Sequence, residues 1–165
     1  MLKMKSIIRT IKAKIKIEEL NYQVNVEVDN GERYVMMKLT NNSKYVITNF
    51  ELTYKAKKDV TNEQKNKFYD EIQKNFKFNE EDVNELKQKE ISMHAETNRL
   101  IDAGQTVDKI NCYYFGGSYY LKDINHLKLC EPDIATIKYI DDGKIHTMYY
   151  LSLIHISEPT RQEAI

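Results

Sequence analysis

Tyr22–Thr40, YQVNVEVDNGERYVMMKLT, decides how the rest of the chain is read. Tyr22, Val24, Val26 and Val28 alternate with Gln23, Asn25 and Glu27, a period of two that lines one face of an extended strand with apolar side chains. Asn30-Gly31 tolerates the positive φ angles of a two-residue hairpin turn, so Asp29-Asn30-Gly31-Glu32 should fold the chain back. The returning segment, Arg33–Thr40, contains Tyr34-Val35-Met36-Met37. It is apolar on both faces, which predicts a central strand.

The same period extends in both directions. Upstream, Ile11, Ala13, Ile15 and Ile17 alternate with Lys12, Lys14 and Lys16, predicting a strand over Thr10–Ile17. Downstream, the turn Asn41-Asn42-Ser43-Lys44 leads into Tyr45–Lys55, whose inward residues are Ile47, Phe50, Leu52 and Tyr54. The uneven step between Ile47 and Phe50 predicts a β-bulge. The period then changes. Thr61-Asn62-Glu63-Gln64 has the form of a capping box, and Phe68, Ile72 and Phe76 recur at helical spacing, predicting a helix near 62–75. Asn79-Glu80-Glu81-Asp82 puts carboxylates in the first turn of a second helix near 80–89, with Val83 and Leu86 inward. Strand patterns return at Ile91–Glu96, Thr106–Phe115, Tyr119–Leu121, Ile134–Ile140 and Ile145–Tyr150. Asp141-Asp142-Gly143-Lys144 marks a hairpin between the last two. Seven to nine short strands around two helices predict a mainly β chain with a helical insertion, arranged as an antiparallel two-sheet immunoglobulin-like sandwich.

The 165 residues are 41% hydrophobic and 30% charged, with 25 Lys+Arg against 25 Asp+Glu. This balance suits a globular chain and supplies no basic field for nucleic acid. No run of ~20 apolar residues forms a membrane span. The basic start MLKMKSIIRTIKAKIKIEEL is interrupted by lysines and lacks the apolar stretch of a signal peptide. Cys112 and Cys130 are read as buried free thiols, with a disulfide as the alternative.

Two resemblances follow. Asn41-Asn42-Ser43, Ile47, Phe50-Glu51-Leu52-Thr53-Tyr54 and Ala103-Gly104-Gln105-Thr106 together resemble the bacterial FxLYD-type immunoglobulin-like domains, although Ala103 stands where a proline is usual. The resemblance implies a β-sandwich of a lipoprotein or surface protein at the cell envelope or outside the cell, with no catalytic residue to carry over. Separately, Leu151–Arg161, LSLIHISEPTR, resembles a translated sequencing adapter, and Gln162 and Ile165 fit the continuing frame. On that reading residues 1–150 are one domain, open to truncation at both ends, and 151–165 are a non-native tail. A false strand extension is then expected near 151–156.

Motifs for chemistry are sparse. His94, His126 and His146 lie at no recognised metal-ligand spacing, so no metal, cofactor or catalytic residue is assigned. His94 and Glu96 share a strand face like a base and its orienter, but no nucleophile accompanies them. The candidate binding residues are Tyr113, Tyr114, Phe115, Tyr119 and Tyr120, which flank Gly116-Gly117-Ser118. Tyrosines offer a flat apolar surface with a polar tip to a protein, peptide or glycan. Alternatively, these rings fill the core and cover the inserted helices. An apolar groove beside Phe68, Ile72 and Phe76 would point to a peptide partner. The sequence thus favours a non-catalytic interaction or scaffold domain. The alternative is a small-ligand or enzymatic domain with a site at the Tyr-rich hairpin and nearby histidines.

Overall fold

The turn at Asp29–Glu32 forms as its residues require, with Asn30 and Gly31 at φ of 51° and 80°. It joins β1 (Leu20–Asp29) to β2 (Glu32–Asn41) in unbroken antiparallel register from Leu20 opposite Asn41 to Asp29 opposite Glu32. The structure, a computed structural model, describes residues 14–117 and 119–151. After β3 (Val46–Ala56) come α1 (Asn62–Phe76) and α2 (Glu80–Lys87), then β4 (Ser92–Thr97) and β5 (Thr106–Tyr114). A four-residue helix, α3 (Ile124–Leu127), precedes β6 (Cys130–Asp141) and β7 (Lys144–Leu151).

Among the described residues the strands form one seven-stranded antiparallel sheet in the order β1-β2-β5-β4-β3-β6-β7. The mainly β class with a helical insertion is therefore observed, but the separate two sheets expected from the sequence are joined into one ladder. The joint is β5. Its first part pairs with β2 through Thr106–Asn111, and its last three residues, Cys112–Tyr114, pair with β4. Lys109, at φ of 57°, sits where β2 shifts register between Met37 and Leu39. An extra residue there kinks β5 and lets it serve two neighbours.

The capping box and the bulge form as their local patterns require. The helix at 62–75 is α1, and its capping box is complete: Gln64 N donates to Thr61 Oγ1 at 3.1 Å and Thr61 N to Gln64 Oε1 at 2.9 Å. The bulge predicted between Ile47 and Phe50 is present as a register shift against β6 between Ile47 and Asn49. Leu151 extends β7 opposite Ile134; the rest of the extension expected near 151–156, and of the tail, lies outside the described residues.

Three expectations are corrected. Lys14–Ile17 is not strand: Ile15 is buried in the core, and Ile17–Glu19 is a 3-10 turn closed by Lys16 N donating to Glu19 Oε1 at 2.9 Å. Residues 10–13 of that predicted strand lie outside the described residues. The apolar face of β1 is not buried throughout, since Val28 is 66% exposed. β5 meets β2 only from Met36 onward, so the tip of the β1–β2 hairpin overhangs the core. β6 begins at Cys130 and includes Pro132, which sits opposite Tyr54 at a register shift where a missing N–H is tolerated.

One core holds strands and helices together. Phe68, Tyr69 and Ile72 of α1 and Val83 of α2 are buried with Met37, Leu39, Phe50, Leu52, Met93 and Ile137.

Candidate functional site

The backbone after β5 turns sharply at Phe115 and Gly116, with φ of 55° and 68°, and Gly117 N donates to Tyr114 O at 2.9 Å. Tyr119–Leu121 then runs back beside β5: Tyr114 N donates to Tyr119 O and Leu121 N to Cys112 O. Successive residues of an extended segment point to opposite faces, so the five candidate aromatic residues are divided between two sides of the sheet.

On the helical side, Tyr114 is buried and Phe115 half-buried; Phe68 of α1 lies 6.1 Å from Tyr114 and 5.9 Å from Phe115, ring centre to ring centre. Tyr119 packs edge-on to Phe76 and Phe78 at 5.1 and 5.2 Å, yet remains 48% exposed. Ile72, Phe76, Phe78, Leu86, Tyr114, Phe115 and Tyr119 line a notch of about 110 Å³ with wholly apolar walls. Two leads from the sequence, the tyrosine hairpin and the α1 stripe, thus meet at one place. Phe78 and Leu86 complete it.

On the other face, His94, Tyr113 and Tyr120 stack across neighbouring segments, with ring centres 5.2 and 5.3 Å apart. Tyr34 meets Tyr120 edge-on at 5.8 Å. Burial raises the pKa of the Tyr113 hydroxyl above the ordinary tyrosine value.

Tyr114 also anchors a polar chain that sequence spacing did not reveal. Its hydroxyl donates to His126 Nδ1 at 2.6 Å, and His126 Nε2 donates to Glu71 Oε2 at 2.5 Å, the tautomer being assigned from these partners. Asp123 Oδ2 stands 3.7 Å from the same Nε2. The chain links β5, α3 and α1, segments far apart in sequence. Tyr114 is only 2% exposed, and burial holds its hydroxyl neutral well above the usual tyrosine range.

Among the described residues, two groups of side chains have metal-ligating atoms close together: Glu71, Asp123 and His126, and Glu51, His94 and Glu96. In the first, both ring nitrogens of His126 already have partners. In the second, Glu51 faces Glu96 across the β3–β4 ladder, His94 is two residues before Glu96, and His94 Nδ1 has no hydrogen-bond partner among the described residues. The sequence had paired His94 with Glu96. Glu51 was missed because register is not written in sequence order.

The β6–β7 turn, His146 and the two cysteines have simple structural accounts. Asp142 and Gly143 take φ of 53° and 72° in the β6–β7 turn, while Asp141 pairs with Lys14 at 2.9 Å. His146 stacks on Tyr139 and reaches Asp141 O at 3.2 Å. Cys112 and Cys130 are buried and free, and burial pushes both thiols up to about 12. Among the described residues no helix is long and apolar enough to cross a membrane.

Compared with protein-family models, curated proteins and solved structures, the chain matches none.

Proposed function

We propose that the chain is a non-catalytic interaction domain that takes an apolar side chain of a protein or peptide partner into the notch between Tyr119, Phe78 and α1. The observation that carries this reading is the notch itself. Its walls are apolar, its rings come from three separate segments, and Tyr119 keeps nearly half its surface in water at the rim. Aromatic side chains held by their neighbours lose little entropy when they receive an anchor residue. A volume of about 110 Å³ suits a single side chain and not a drug-sized molecule.

The opposite aromatic row is a poorer receptor for a glycan. Tyr113 stacks on His94 on one side and on Tyr120 on the other, so neither ring face is free for a sugar. An enzymatic reading of Tyr114–His126–Glu71 is disfavoured because the tyrosine is sealed from solvent.

The finer fold assignment belongs to the same proposal: an immunoglobulin-like sandwich of the FxLYD type, in an envelope protein. It finds support in the meeting of the two turns that carry the resemblance. Gly104 N donates to Asn41 O at 2.6 Å, and Asn41 N donates to Gln105 O at 2.9 Å.

Selection of peptides from a displayed random library against the full chain tests the binding reading. Enriched peptides should share one aromatic or aliphatic anchor, and Tyr119→Ala or Phe78→Ser should weaken them by roughly tenfold or more, the loss expected of a buried anchor contact. Failure to enrich peptides, or equal affinity for the variants, would overturn it.

A further inference from the structure

We propose that Glu51, His94 and Glu96 form a binding site for a divalent transition-metal ion, with Zn(II) the best match to the donor set. One ring nitrogen of His94 and one carboxylate oxygen from each glutamate all lie within 4.8 Å of one another. The arrangement follows from the sheet. Glu51 and Glu96 are direct partners across β3 and β4, and Thr53 is the partner of His94, so all three ligands project from the face opposite Phe50, Leu52, Met93 and Ala95.

Two observations beyond this proximity point to a cation. His94 is only 8% exposed, and its Nδ1 is buried with no hydrogen-bond partner among the described residues. A buried polar atom left unpaired is destabilising, and a metal ion bound at the imidazole would supply a partner if taken at Nδ1. The second observation is electrostatic. Like charges directly opposite on neighbouring strands repel, yet neither Glu51 nor Glu96 is in an ion pair among the described residues.

Among the described residues, the cations lining the adjoining cleft do not fill the role. Arg99 lines the adjoining cleft, but its guanidinium donates to Asp108 O at 2.9 Å and to Thr97 Oγ1 at 3.4 Å. Lys109, on the same cleft, and Lys138, on the Glu51 face of β6, make no ion pair with either glutamate among the described residues. The other carboxylate–histidine group offers a useful contrast, because the hydrogen bonds of His126 already satisfy both its nitrogens.

An imidazole with two carboxylates suits Zn(II), which takes such ligands at ~2.0–2.2 Å in a tetrahedral set. Ca(II) prefers six to eight oxygens, which this site does not offer. Tetrahedral ligands at those bond lengths lie ~3.4 Å apart. The ligand atoms already lie within 4.8 Å of one another, the two glutamates are half-buried and exposed and so can adjust, and stacking on Tyr113 holds the His94 ring in place. A fourth position remains for water or for a donor entering from the cleft lined by Thr97, Asn111 and Tyr113.

Calorimetric titration of the metal-stripped full chain with Zn(II) tests the assignment, with Co(II) absorption spectra reporting coordination. One ion per chain is expected, with His94 ring resonances shifting and those of His126 unmoved. Glu51→Gln/Glu96→Gln should weaken binding more than about tenfold, since even changes outside the ligand shell reach that size. His94→Gln should act likewise, whereas Asp123→Asn should bind as the parent does. Absence of stoichiometric binding would overturn the proposal, as would a loss below tenfold in the double glutamine variant, whose fold is checked by circular dichroism.

Discussion

At the scale of single residues, Asn41 bears more of the structure than its place in a polar turn suggests. It is fully buried, and its amide nitrogen donates to Tyr45 O and Ile101 O at 2.7 and 3.0 Å, with Asp102 O at 3.3 Å sharing one of the two hydrogens. Its side-chain oxygen accepts from Ser43 N and Ser43 Oγ at 3.0 and 2.6 Å. Asn41→Ala should cost ~2–4 kcal/mol in urea unfolding, because buried partners are left unpaired. Asn41→Asp should cost more at neutral pH, since a carboxylate would face carbonyl oxygens where the amide donated; equal losses would count against this account. The two thiols give a pH prediction. Their folded value of about 12 lies above the ordinary 9.0, so the unfolded chain loses protons first as pH rises. Stability from these groups is therefore complete below pH 9 and declines between 9 and 12, with the buried hydroxyls of Tyr54 and Tyr114, also raised by burial, adding to the decline above 10. Urea midpoints measured across pH 7–11 should fall only in the upper part of that range, and Cys112→Ala/Cys130→Ala should flatten the onset.

Elements differ in how far they could be read in advance. The hairpin turns, the capping box of α1 and the bulge in β3 are carried by neighbouring residues, so their patterns are continuous in the sequence. α3 escaped because four residues hold barely one turn; its one signal is Asp123, whose carboxylate accepts from Asn125 N at 2.9 Å. The site was legible in the same partial way. Its tyrosines were evident from composition, and their division between two faces follows from alternation, but the partners Phe78, Leu86 and Glu51 are brought in by packing and register. α3 repays attention because it carries His126 between Tyr114 and Glu71. His126→Phe keeps the ring and strands the buried Tyr114 hydroxyl, so it should lose ~2–3 kcal/mol. Adding Tyr114→Phe removes the stranded group, and the double variant should recover a good part of the loss. A double variant no more stable than the single one would show that the chain acts through shape alone.

For the molecule as a whole, the order of the sheet was the part least accessible to pattern reading. Which strands become neighbours depends on contacts between distant segments, and here it turns on β5, whose kink at Lys109 lets it pair with β2 and then β4. The helical insertion likewise interrupts β3 and β4 in sequence while leaving them paired in space. Because Phe68, Tyr69, Ile72 and Val83 share a core with the strands, the insertion should not behave as an independent unit. A shared core couples opening: the helices cannot leave without exposing the apolar surface of β5, so local and global unfolding should coincide. Native-state hydrogen exchange should then give the central amides of α1 nearly the same opening free energy as those of β4. Phe68→Ala should lower both by ~3–5 kcal/mol, the cost of emptying a buried aromatic site. If α1 instead exchanged at a much lower free energy and Phe68→Ala left β4 unchanged, the insertion would be a separate folding unit resting on a self-sufficient sheet.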